Sequence, residues 1–455
     1  MEDIKALQQE RTQLFLDVWS NKIPKRVPVN VSLTFEAVAQ FGELDLARTQ
    51  WNPAQVAEAA DKVCQAIYSD SCPAGTVSLR FPAHYEVLKS QSFIMSESGF
   101  VQHPEVVGML PEEYDYLIEK PYECLVEKVI PRQFKALGLD DPVKLAFVLA
   151  KAIAVKNADV IAGAGVSGQL TQKYGYSLGA GAGVSGSSEA PMDYLADQLR
   201  SFTGIVKDIR RIPEKVIDGV EALFPIVYRK GTPARITEFS RVTYPLHMPT
   251  FLKQKDFEKF WWPSFFDTCN NHAAEGVSNG LWCEDNWMRF LDNLEDLPDN
   301  TQLIFEYGDP KTIKDKLGKK HIITGLFPIN LIKNGTKQEV LDKAKEMIDI
   351  LAPGGGYIFA FDKIIITADS VNMDNLAALT EFVRDYAVYD NPGAPAGTPF
   401  HKEDYTIKPH RTFESVYHYT ADDYKKMNPM LADSDAAKLT ALDESIFGFI
   451  TSLLI

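Results

Sequence analysis

The chain has 455 residues, 45% of them hydrophobic and 24% charged, which is ordinary globular material with enough length for one large domain or two smaller ones. Its 47 basic against 62 acidic residues leave a net charge of −15, so a nucleic-acid partner, which needs a basic stripe to neutralise phosphates, is disfavoured. Five cysteines without close spacing (Cys64, Cys72, Cys124, Cys269, Cys283) argue against a disulfide framework. No amino-terminal basic segment precedes an apolar run, and no stretch approaches the ~20 apolar residues of a membrane span. A cytoplasmic protein is expected.

In chain order, residues 4 to 21 carry apolar positions at helical spacing (Ile4, Leu7, Leu14, Phe15, Val18) and read as a surface helix. Asn52-Pro53 opens a second surface helix reaching Tyr68. Residues 69 to 108 are irregular, and 112 to 137 return to a helical pattern interrupted by Pro121 and Pro131. The Gly/Ser-rich stretch 163 to 188 predicts one long mobile loop over a pocket. Within it, Gly163-Ala164-Gly165-Val166-Ser167-Gly168 matches the dinucleotide-binding fingerprint after the strand-like Ala158 to Ile161, and the hexapeptide recurs at Gly181 to Gly186. A true fingerprint opens a helix whose amino terminus holds pyrophosphate. The surrounding glycines argue against that here, and a substrate-covering loop is preferred.

From residue 257 to 385 strands alternate with helical patterns: Leu281 to Asn286, Leu303 to Asp309, His321 to Gly325 and Gly356 to Asp362. This alternation predicts parallel pairing with helical crossovers, and in a closed barrel the chemistry gathers at the carboxyl ends of the strands. Cys283, Glu284, Glu306 and Asp362 stand at those ends. A Pro/Gly linker at 391 to 399 ends this region, and the segment 434 to 455 reads as one amphipathic helix, with Leu442, Ile446, Phe447, Ile450, Leu453 and Leu454 in its apolar stripe. The stripe must be covered, by the outer helices of the barrel or by homodimerisation. Its acidic polar face argues against membrane docking.

Glu306 is a carboxylate in an otherwise apolar strand and calls for a metal, cation or donor. His247 lies between Pro245 and Pro249 at a strand end, whereas His321 begins its strand on the stability face of a barrel. Phe35, Trp282, Trp287, Tyr307, Phe327 and Phe361 fall near carboxyl ends of strands, a cluster suited to a flat apolar ligand.

The order of Phe257 to Pro263, the Cys283 strand, Glu306-Tyr307-Gly308-Asp309-Pro310, Lys319 to Gly325, Ala352 to Ile358 and Asn375 to Tyr386 resembles the uroporphyrinogen decarboxylase superfamily. Lys25 to Val29, Glu189 to Asp193 and Arg200 to Pro213 agree with it. The resemblance implies a (β/α)8 TIM-type barrel over residues 1–390, with N-terminal helices, and a linker and helical C-terminal extension over 391–455. For decarboxylation of a porphyrinogen the family carries an Arg-rich segment after the first strand. Val31 to Glu43 has no Arg, and the family's catalytic aspartate is hard to place, with Asp70 the one carboxylate near its position. The corrinoid-dependent methyltransferase branch carries a His-x-Cys zinc motif, of which Cys283 is kept and the His is replaced by Leu281.

The reading is therefore a methyltransferase that cleaves a small methylated substrate, such as a methoxylated aromatic, and passes the methyl group to a corrinoid protein. Catalytic residues are expected in Glu306, Glu284 and His247, substrate contacts in Phe35, Trp282, Tyr307 and Phe361, and a zinc site in Cys283, Glu306 and Asp362. A uroporphyrinogen decarboxylase-type carboxy-lyase and a non-catalytic binding barrel are the alternatives.

Overall fold

In a computed structural model, which describes residues 2–78 and 80–454, the centre of the molecule is a parallel sheet. Its strands are β1 (Ser185–Ser187), β2 (Arg241–Leu246), β3 (Ser278–Asn286), β4 (Gln302–Tyr307), β5 (Ile322–Phe327) and β6 (Tyr357–Phe361), paired in sequence order. Consecutive parallel neighbours require helical crossovers, and the chain supplies them, among them the helix Trp262–Ala274 between β2 and β3. The four β/α units expected from the sequence fall within a few residues of β3 to β6.

Beyond β6 the sheet continues through bridges rather than ladders. Val29 pairs in parallel with Phe359, and Leu33 with both Ile365 and Ala74, so the segment around 27–33 lies between β6 and residues 69–75. No ladder among the described residues joins 69–75 to β1, so the hydrogen bonds draw a six-stranded parallel sheet with two appended segments rather than a complete eight-stranded barrel. Asp70 anchors this region. It is fully buried, accepts two 2.7 Å bonds from the Arg26 guanidinium, and is also bonded by the Val29 N–H and the Tyr68 hydroxyl. Its bonding capacity is spent on structure.

Side chains alternate along each strand, and the register decides which of them share a face. Arg241, Gln302, Ile322 and Ile358 stand on one face. The helix α1 (Glu2–Trp19) seals their end with Phe15 and Val18, while Trp19 Nε1 and Arg241 Nη1 both donate to Gln302 Oε1 at 3.3 and 2.7 Å. The opposite face, with Tyr244, Leu281, Cys283 and Phe305, packs outward on helices. Tyr244 meets Phe265 edge-on at 5.3 Å, and its hydroxyl lies 2.7 Å from His272 Nδ1.

The expected loop over 163 to 188 holds only for 175–184, and over 163 to 174 it is overturned. Residues Pro142–Tyr174 form a single 33-residue helix, α2, which runs through the first hexapeptide and through the strand-like Ala158 to Ile161. Asp141 caps it by accepting the Val143 and Lys144 N–H groups, Pro142 occupies its first turn, and Gly175 ends it in the left-handed region at φ 63°. Interior glycines cost a helix up to about 1 kcal/mol each against Ala. Packing offsets this at Gly163, where a Cβ would lie 2.1 Å from the Thr76 carbonyl oxygen. The second hexapeptide is a turn that leads into β1 at Ser185, and a Cβ on Gly186 would meet the Gly231 carbonyl at 1.8 Å. Neither copy opens a helix, so neither has the geometry of a dinucleotide site.

The linker at 391 to 399 is held rather than free, since Ile23 N–H donates to Ala394 O and Ala396 N–H to Asn21 O. The C-terminal helix α3 (Asp433–Thr451) docks through Phe447 on Tyr122 and Phe413, and Arg229 pairs with Glu444. The expected stripe is covered only in part. Phe447, Ile450, Leu453 and Leu454 are buried, but Leu442 and Ile446 are exposed, because the docked face runs through Ala436, Phe447 and Thr451. Ile455 lies outside the described residues. No helix among them is long and apolar enough to cross a membrane.

Candidate active site

At the carboxyl ends of β2 and β3, His247 Nδ1 lies 2.7 Å from Glu284 Oε2. Leu246 pairs with Cys283, so the residues that follow, His247 and Glu284, emerge side by side. Two further carboxyls converge on the histidine from the turn after β1. Asp193 accepts the His247 backbone N–H at 3.2 Å and the Trp261 indole N–H at 2.6 Å, and Asp197 lies one helical turn beyond it. Trp261 comes from the π-helical turn Phe257–Trp261, part of the segment on which the family resemblance rests.

These groups hold an unusual distribution of protons. Burial raises Asp193 to about 8, helped by the Asp197 charge and opposed by the Trp261 and His247 bonds. Burial likewise raises Asp197 to about 6. For His247 burial works against the imidazolium, but the Glu284 bond and charge, with Asp197 and Asp193 behind it, lift it to about 9. Near neutral pH the cluster thus combines a cationic imidazole with a carboxyl that keeps its proton. Burial pushes the neighbouring His103 down to about 4, with the positive charges of Arg80 and His247 acting in the same direction.

Glu306 forms a second centre on the same face of the sheet. Its Oε1 accepts the Trp282 indole N–H at 3.3 Å, its Oε2 accepts the Asp285 N–H at 3.0 Å, and Lys363 Nζ stands 3.7 Å away. Asp362, at the end of β6, accepts the Ile329 N–H at 2.9 Å, and burial raises its pKa. The structure therefore brings His247 and Glu284 together, and sets Trp282 against Glu306 with Lys363 and Asp362 nearby.

The expected zinc set does not assemble. Cys283 is fully buried on the helix-facing side of β3, opposite to Trp282 and Glu284, and burial holds its thiol well above the usual range. Strand alternation alone separates it from Glu306 and Asp362. No group of three His, Cys, Asp or Glu side chains among the described residues is arranged to hold a metal ion. Of the four expected substrate contacts, Phe35 and Phe361 are taken up in apolar packing. Phe35 is buried against Phe81, Phe361 packs with Phe327 and Phe359 in the strand–helix layer, and Tyr307, the last residue of β4, is 60% exposed. Trp287 is buried and donates to the Glu284 carbonyl, and His321 is buried at its strand start with its basicity lowered by desolvation to about 3.

Asp193 and Asp197 escaped the sequence reading as site residues. The available signal was their four-residue spacing, which puts both carboxylates on one side of a helical turn. No family model matches this chain, and no curated protein matches it.

Proposed function

We propose that the chain is an enzyme that transfers a methyl group from a small neutral methylated substrate, a methoxylated aromatic ring being the best fit, to a corrinoid protein. The observation that carries this reading is the His247–Glu284 pair with Asp193 and Asp197 behind it. Cleavage of a methyl ether needs a nucleophile on the methyl carbon and a proton or positive charge on the departing oxygen. The external acceptor supplies the electron pair that forms the new bond to carbon, and the C–O pair stays on oxygen. His247 Nδ1 is committed to Glu284, so the proton offered to that oxygen is the one on Nε2. Glu284 orients the ring and stabilises its charge, and the pair returns to its starting state when water reprotonates His247. Trp282, fixed by Glu306, supplies an aromatic surface for the ring. The resemblance implies zinc, but the chemistry of these residues fits proton donation better than a metal shell.

The decarboxylase alternative is less well supported. A substrate with many carboxylates would meet Asp197, Glu284, Glu306 and Asp362, acidic groups that outnumber the cations His247, Lys363 and Arg80 of this region. The full eight-stranded barrel implied by the resemblance belongs to the same proposal. It is favoured by the order of the bridged segments 27–33 and 69–75 beside β6.

The test is turnover of 2-methoxyphenol with a reduced corrinoid as acceptor, followed by release of the free phenol. Activity in the wild type and its loss in His247→Gln supports the assignment. Equal activity in His247→Gln removes it, and release of carbon dioxide from a porphyrinogen would move the assignment to the alternative.

A further inference from the structure

Two glycines of α2 have no reason to be glycine within this chain. Gly163 faces the Thr76 backbone, but a Cβ on Gly165 or Gly168 would meet nothing within 4 Å. Both are exposed, and each weakens the helix that contains it. The same face of α2 exposes large apolar side chains, with Val143 66% and Phe147 64% accessible at its other end and Ile161 70% accessible beside the glycines. At 100° per residue, Val143, Phe147, Ala150, Ala154, Ala158, Ile161, Gly165 and Gly168 all fall within one narrow stripe, and every one of them is exposed. An uncovered apolar stripe about 38 Å long is out of place on a free surface.

We infer that this stripe is the contact between two copies of the chain, with the two α2 helices packed antiparallel about a two-fold axis near residue 156. The occupant follows from the order of large and small residues. An antiparallel two-fold pairing in that register sets Phe147 against Gly165, Val143 against Gly168, Ile161 against Ala150, and Ala154 against Ala158. Every bulky residue then meets a small one, and the two alanines nearest the axis allow close approach of the backbones. A parallel pairing would instead put Phe147 on Phe147 and leave the glycines facing each other across a gap.

Charge agrees. Lys144 and Lys151 lie on one flank of the stripe, where the other copy presents Gln169 and Ala162, so no lysines are opposed. A contact of this length buries on the order of 1,000 Å² from the two copies together, about what a specific interface requires. An isologous contact needs one surface that is complementary to itself, and this stripe is. The inference explains why the first Gly-rich hexapeptide lies in a helix: Gly163 serves the fold, and Gly165 serves the partner.

The experiment is sedimentation velocity on the full chain at micromolar concentration. The wild type is expected at twice the chain mass, and Ala154→Glu and Gly165→Phe at the chain mass with unchanged circular dichroism. A monomeric wild type, or a dimer that survives both substitutions, overturns the proposal. A cross-linking variant covers the case in which a substitution disturbs folding. Oxidation of the double variant Ala154→Cys/Ala158→Cys is expected to give covalent dimer, and Ala154→Cys alone little. Efficient cross-linking of the single variant would instead mean parallel helices and overturn the antiparallel register.

Discussion

Glu284 Oε2 lies 2.7 Å from His247 Nδ1 across the ends of two adjacent strands, and the residue before it, Cys283, points into the opposite layer. One peptide bond thus separates a side chain available for chemistry from one sealed in the core. Glu284 takes its place from the register of β2 and β3, while His247 owes its raised basicity to Glu284 and to Asp197 and Asp193 on a distant part of the chain.

Replacing either member of this pair is expected to cut turnover by about 10²–10⁴, the usual contribution of a positioned proton donor. His247→Gln and Glu284→Gln should both keep the wild-type thermal midpoint to within a few degrees, since His247 is 43% exposed and Glu284 28%. Steady-state kinetics with 2-methoxyphenol, alongside thermal melts, checks this. A large loss of stability with intact specific activity would reduce the pair to a structural role.

Glu306→Gln should keep the fold and lower activity at least about tenfold, since the amide can still accept one of the two N–H bonds but no longer attracts Lys363. The measurement is kcat and KM separately. A rise confined to KM would assign Glu306 to positioning of Trp282 against the ring.

Cys283→Ala provides the contrast. Because the thiol sits in the strand–helix layer, the substitution should cost about 1 kcal/mol by creating a small cavity and leave kcat unchanged. Urea unfolding gives the first quantity and turnover the second. Loss of turnover at full stability would restore Cys283 to the site.

Stability should fall as pH rises from about 6.5 to 9. The folded state raises His247 to about 9, so its contribution is complete below the unfolded value and disappears as pH climbs through 9. Asp193, raised by burial to about 8, holds a proton that the unfolded chain has already released, so its burial becomes more costly as pH approaches 8. Both slopes have the same sign. Asp193→Asn should flatten the dependence of thermal midpoint on pH over this range, and an unchanged slope would show that the carboxyl is ionised throughout.

Asp70→Ala is expected to be the most destabilising of these changes. It strands the Arg26 guanidinium in a buried position and removes the acceptor for the Val29 N–H, at about 3–5 kcal/mol. Denaturant unfolding measures it directly, and a loss under about 1 kcal/mol would mean that water replaces the carboxylate.

The hydrophobic pattern by itself determined the parallel strands from 278 to 361 and the helices between them, because alternation and helical spacing are local properties of burial. It also marked His247, Glu284 and Glu306, since polar residues at the ends of apolar strands stand out. Only the tertiary structure decided the remainder. Residues 163 to 174 became helix because the close approach of Gly163 to Thr76, and the bonds that Gln8, Arg11 and Asp61 make to Thr171 and Tyr174, outweigh the glycines' intrinsic cost, which no local rule registers. The separation of Cys283 from Glu306 depends on which strand face turns toward the helices, and Asp193 meets His247 only across the contact of β1's following turn with the end of β2. Propensity and periodicity act over a few neighbours, whereas these relationships join residues tens of positions apart, where strand register and burial decide.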